Sequence, residues 1–196
     1  MTDQDRVLSS IATGELVVSR IGSVGVAKGA NPAGVASAMR AKHEAQEYAR
    51  AGLQEKQRGR YSSALQLFMN SLAIEDDIGD FFGMASDLGN LADVYRLGGN
   101  PEKALVGFER ALAIDEELAR SLPALYNSKR VPDATQVQEL GEANYMRALH
   151  FEGKARCLMD LGREGIDGAL RQALAFYNDS DHLDSVKRIK QLLDGQ

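Results

Sequence analysis

Histidine, cysteine and clustered carboxylates are the side chains of this chain with the reactivity to do chemistry, and their spacing decides how much. His43, His150 and His182 are far apart, and none has a second His or Cys at the interval a zinc or iron site uses. Cys157 sits beside Leu158, Met159 and Leu161, which predicts a buried, inert thiol rather than a nucleophile. His150 and Glu152, two positions apart, fall on different faces of a helix and read as a surface pair instead of a base with its orienting group. Glu75, Asp76, Asp77 and Asp80 lack the alternating ligands and central glycine of a calcium loop, so they read as a solvated turn after a helix. Gly22, Gly25 and Gly29, near Lys28, match neither the phosphate-cradling loop nor the dinucleotide fingerprint. The pattern predicts no enzyme, no metal and no cofactor.

What would position these residues is a pattern that occurs twice. Ala85, Gly99, Ala104, Leu105, Phe108, Leu112, Ala113 and Ile114 each have an identical residue 40 positions earlier, at Ala45, Gly59, Ala64, Leu65, Phe68, Leu72, Ala73 and Ile74. A fixed offset of this size marks a stacked repeat, in which each unit leaves an apolar face for the next to cover. Within the later copy, Leu88, Leu91, Val94 and Tyr95 recur at helical spacing, Gly98 and Gly99 end that helix, and Asn100 with Pro101 caps and starts another. The second helix carries Ala104, Leu105, Phe108, Ala111 and Leu112 along one side, with the small residues allowing close approach. The unit is a helical hairpin.

These residues resemble the tetratricopeptide repeat (TPR): Ala92, Tyr95, Gly99, Ala104, Phe108 and Ala111 in one copy, and Tyr48, Gly52, Gly59, Tyr61, Ala64 and Phe68 in the other. The spacing exceeds the usual ~34 residues and is similar to the longer-repeat branch that includes kinesin light chain and the polarity adaptor with Leu-Gly-Asn repeats. The resemblance implies an all-α, right-handed superhelix of about three hairpins plus a C-terminal capping helix. On this division, residues 1–36 form a flexible Gly-rich arm and residues 37–196 the repeat domain. Repeat one covers 37–80, repeat two 81–119, a loop with two prolines 120–132, a degenerate repeat three 133–178 and the capping helix 181–194. Asp133 is expected to cap the long helix of repeat three, and Ser180 or Asp181 the last helix.

In such arrays the first helix of each hairpin lines a concave groove. The resemblance therefore places Arg50, Leu53 and Lys56, then Asn90, Asp93, Arg96 and Leu97, then Arg156 in a partner-binding face, with Gln46, Ala49, Gly89, Glu152 and Asp160 beside them. The lysine and asparagine that co-chaperones use to clamp acidic C-termini are replaced by Ala49 and Leu53, which disfavours that class of ligand. The expected function is a protein-protein interaction scaffold or adaptor binding a peptide or helix. A small secretion or assembly chaperone and a self-assembling structural subunit are the alternatives. Homo-oligomerisation through the N-terminal arm is a further expectation.

Composition narrows the setting. A chain of 196 residues, 44% hydrophobic and 26% charged, is long enough to bury one core. Its net charge of −5 argues against nucleic-acid binding, which needs clustered cations, and Lys187, Arg188 and Lys190 are too few to reverse that. No apolar run approaches the ~20 residues of a membrane span. The acidic, polar N-terminus and the lone cysteine predict a reducing cytoplasm and no membrane insertion.

Overall fold

The computed structural model describes residues 32–126 and 134–195. Every element is a helix: α1 (Pro32–Gln57), α2 (Tyr61–Ile78), α3 (Phe81–Leu97), α4 (Pro101–Tyr126), α5 (Ala134–Asp160), α6 (Ile166–Asp179) and α7 (Leu183–Asp194), with no strand among the described residues. Three of the turns rest on glycine, because Gly59, Gly99 and Gly162 have φ of 72°, 81° and 60°, a region closed to most side chains. The amide of each donates to a carbonyl three residues back, at 3.0 Å in all three cases. Asn100 Oδ1 then accepts the Lys103 amide at 3.2 Å, starting α4.

Helices joined by these turns run antiparallel. Gly52 meets Phe68 and Ala45 meets Ser71, pairs lying at similar distances from the α1–α2 turn. The contacts are close. A Cβ on Gly52 would come within 2.9 Å of the Phe68 ring, one on Gly107 within 2.8 Å of Ala92, and one on Gly153 within 2.2 Å of Phe108. Glycine is needed there for proximity, and Ala104 and Ala111, the small residues expected to let α3 and α4 approach closely, are fully buried. Consecutive helices pack on one another through α7, and the first helices also touch in series, α1 on α3 and α3 on α5. One apolar cluster joins Phe68, Leu72, Met84, Leu88 and Val94; a second joins Phe108, Ala148, Leu158, Leu170, Tyr177 and Ile189. Val186 and Ile189 of α7 are buried against the last pair.

Four boundaries differ from the sequence expectation. Residues 32–36, expected in the arm, belong to α1; Pro32 suits a first turn because its missing N–H would have had no partner, and exposed Gly34 costs a helix only about 1 kcal/mol. The remaining arm, residues 1–31, lies outside the described residues. The acidic run is no solvated turn: α2 continues to Ile78, Glu75 is buried, and Asp80 Oδ1 caps α3 by accepting the Gly83 amide at 3.2 Å. The expected loop at 120–132 is overturned as far as Tyr126, since α4 runs through Pro123; a proline removes one backbone hydrogen bond from a helix without having to end it. Residues 127–133, with the expected Asp133 cap, lie outside the described residues. Finally, α7 starts at Leu183 without a side-chain cap. The Ser180 hydroxyl donates back to the Phe176 carbonyl at 2.8 Å, and Asp181 has a φ of 57°, so neither caps the helix.

Candidate functional site

The first helices α1, α3 and α5 bring most of the expected groove residues into one row. Lys56 Nζ of α1 donates to Asp93 Oδ2 of α3 at 3.1 Å and reaches Asn90 Oδ1 at 3.4 Å. Arg96 Nη2 donates to the other Asp93 oxygen at 3.4 Å, and its Nη1 lies 3.5 Å from Asp160 Oδ2 of α5. Charges of alternating sign thus bridge three helices. Leu53 and Leu97 stand beside this ladder, three residues before Lys56 and next to Arg96, and remain 38% and 42% exposed. Arg50 is elsewhere in character: its guanidinium pairs with Glu47 at 2.6 Å on the exposed side of α1. Arg156 is held by Glu152, its Nη2 donating to Oε1 at 2.7 Å.

Two residues expected on the groove surface are interior. Glu152 is buried, and it is the acceptor for three elements at once: Tyr177 Oη of α6 at 2.7 Å, Arg188 of α7 at 2.8 and 3.1 Å, and Arg156 of its own helix. Burial works to raise this carboxyl, but the hydrogen bonds from Arg188, Tyr177 and Arg156 outweigh it and hold the group down at about 2. Gly89 is buried as well, because His150 fills the space its side chain would take, with Nε2 2.4 Å from the position of a Cβ.

The expected surface pair of His150 and Glu152 is therefore corrected on both members. His150 is 2% exposed and shares a 2.7 Å hydrogen bond between Nδ1 and Asp115 Oδ2 of α4. This α4–α5 junction has a counterpart at α2–α3. Asp115 lies 16 residues after Gly99 and Glu75 lies 16 after Gly59; His150 lies 12 before Gly162 and Asp87 lies 12 before Gly99. At the counterpart, a carboxyl faces a carboxyl instead of an imidazole. Glu75 and Asp87 are 6% and 1% exposed, and Glu75 Oε2 and Asp87 Oδ2 have no hydrogen-bond partner among the described residues. Burial pushes both groups above the ordinary carboxylate range, with Asp87 adding to the effect on Glu75, and with Ser71, Glu75 and Asn90 restraining it at Asp87. Position 75 was legible as acidic; that it is interior follows only from the apolar period running past Ile74 to Ile78.

Cys157 is fully buried, and burial pushes its thiol up to about 11. No group of three or more His, Cys, Asp or Glu side chains that could hold a metal ion occurs among the described residues.

One cavity had no signal in the spacing of the motifs. It lies on the other side of α3 from the charge ladder, between α2 and α4, with a volume of about 470 Å³. Met69 and Leu72 form one wall, Val106 and Gly107 the other, and Leu91 and Tyr95 lie on the floor. Its rim carries Glu102, Lys103 and Arg110, all from α4, and Lys103 Nζ lies 5.6 Å from the Tyr95 ring centroid. Val106 is 47% exposed. Of these wall residues the sequence copies place only Leu72 on an apolar stripe; the gap exists because α2 and α4 each pack on α3 without closing on each other.

No helix among the described residues is long and apolar enough to cross a membrane. Compared with known proteins, the chain matches no family model and no curated protein.

Proposed function

We propose that the seven helices form a TPR-like array of three hairpins, coiled as a right-handed superhelix and closed by α7, and that it serves as a non-catalytic scaffold or adaptor in the cytoplasm. Its ligand is a peptide or helix of another protein, bound on the face of α1, α3 and α5. One observation carries this. Leu53 and Leu97 are large apolar side chains left open to solvent beside a ladder of fixed charges, Lys56, Asp93 and Arg96. Apolar anchors ringed by paired polar groups are how protein interfaces concentrate binding energy. The ladder also favours a mixed-charge ligand, since Lys56 and Arg96 are each already opposed by Asp93, and Asp160 adds a further acid beside Arg96.

Selection of peptides from a displayed library on the full chain tests this. A selected peptide should lose at least about ten-fold in affinity, equivalent to 1.4 kcal/mol, for Leu53→Asp and for Leu97→Asp. It should bind Val106→Asp, on the opposite side of α3, as it binds the parent. Affinity that ignores both leucines would contradict the assignment.

A further inference from the structure

We propose that the apolar cavity between α2 and α4 is the docking site for a segment of the same chain, residues 16–26, which lie outside the described residues. The cavity is open, mostly apolar and about 470 Å³, within the ~300–1,000 Å³ usual for sites that enclose a ligand. Among residues 1–31, the run Leu16, Val17, Val18, Ile21, Val24 and Val26 is the most apolar, and Arg20 is the one charged residue between Leu16 and Ala27.

Reach and charge both fit. α1 begins at Pro32, and its Lys42 is tied to Asp80 in the α2–α3 turn at 2.7 Å, so the chain departs from the end of the molecule where α2 ends. The residues from Val17 to Pro32 span up to about 50 Å when extended, more than the ~39 Å length of α1 itself. Along α4 the rim residues Glu102 and Arg110 are about 12 Å apart. Glu15 and Arg20, which bracket the run Leu16–Ser19, are up to about 16 Å apart when extended, so each finds an opposite charge when the run lies along α4. Docked this way, the segment covers Val106 and the Tyr95 floor.

The buried native thiol makes a direct test possible in the full chain. Single cysteines at Val106→Cys and, as an internal reference on exposed α7, Leu183→Cys are labelled with a maleimide in separate preparations that retain buried Cys157. Position 106 should react at least about ten-fold more slowly than position 183, and adding Val18→Asp with Ile21→Asp should bring the two rates together. Equal rates in the chain without the aspartates would overturn the proposal, as would protection that the aspartates leave intact. Protection that weakens on dilution would overturn it too, by assigning the site to a second copy of the chain. Circular dichroism of each variant, matched to the parent, ties a change in rate to the segment.

Discussion

At the scale of single residues, the two equivalent junctions solve one problem in opposite ways. An acid at position 115 shares a hydrogen bond with His150, whereas the acid at position 75 faces Asp87 and keeps an oxygen with no partner among the described residues. The room for an imidazole explains part of the difference: Gly89 makes way for His150, while the residue 40 positions before Gly89 is Ala49. A buried carboxyl raised above its ordinary value near 4.5 binds its proton in the folded state where the unfolded chain has lost it. Its stabilising contribution is complete below the unfolded value and is lost as pH rises through the folded one. The chain should therefore melt lower at about pH 9 than at about pH 5, and Glu75→Gln should flatten that difference and raise the melting temperature on the alkaline side by about 2–4 °C per kcal/mol recovered. The charged groups facing Glu75 are Asp87, Asp80 and, from α1, Lys42; a melting curve as steep in pH for Glu75→Gln as for the parent would place the titration elsewhere.

Glu152 has the opposite sign. Its carboxyl is held at about 2, below its ordinary 4.5, so its contribution is present above the ordinary value and disappears as pH falls through the folded one. Glu152→Ala leaves the buried Tyr177 hydroxyl without its acceptor, but Arg156 and Arg188 are partly exposed and regain water, which discounts the loss. Urea denaturation should show about 1–3 kcal/mol less stability at neutral pH. An unchanged midpoint would mean that this three-helix junction does not hold α7 in place.

At the scale of helices, the packing depends on glycines that sit inside them. Gly153 of α5 faces Phe108 of α4 so closely that a methyl group would overlap the ring. Alanine is favoured over glycine in a helix by about 1 kcal/mol, so Gly153→Ala tests which effect wins. Overpacking of about 1–3 kcal/mol or more should prevail, giving a lower urea midpoint; a stabilised variant would show that α4 and α5 can separate without cost. These close contacts were half legible. The offset of 40 exposed Gly59, Gly99 and the apolar stripes, and from them came the turns and the faces. Nothing local marked Gly107 or Gly153 as contact points, because their role depends on which ring the neighbouring helix presents. Pro123 misled for the same reason in reverse: its sequence cue is local, and the continuation of α4 past it is not.

At the scale of the whole molecule, the contact of α1 with α3 and of α3 with α5 was expected from the offset of 40. Its chemistry was not. Lys56, Asp93, Arg96 and Asp160 are linked in series across three helices, through pairs as distant in sequence as Arg96 and Asp160, which periodicity cannot reveal. Glu152 and Gly89 left the surface for the interior because their partners, Tyr177, Arg188 and His150, come from other helices. The cavity on the far side of α3 was hidden because a sequence marks which faces are apolar but not where two such faces fail to meet. The molecule therefore has two distinct surfaces separated by α3, one charged with exposed leucines and one apolar.

The amide spectrum of the isotopically labelled full chain, titrated with a peptide selected for binding, tells these surfaces apart most directly. A scaffold that works through its first helices predicts perturbations concentrated at Leu53, Lys56, Asn90, Asp93 and Leu97, with Met69, Val106 and Arg110 unmoved. Perturbations confined to Met69, Val106 and Arg110, with the row of first helices silent, would contradict it.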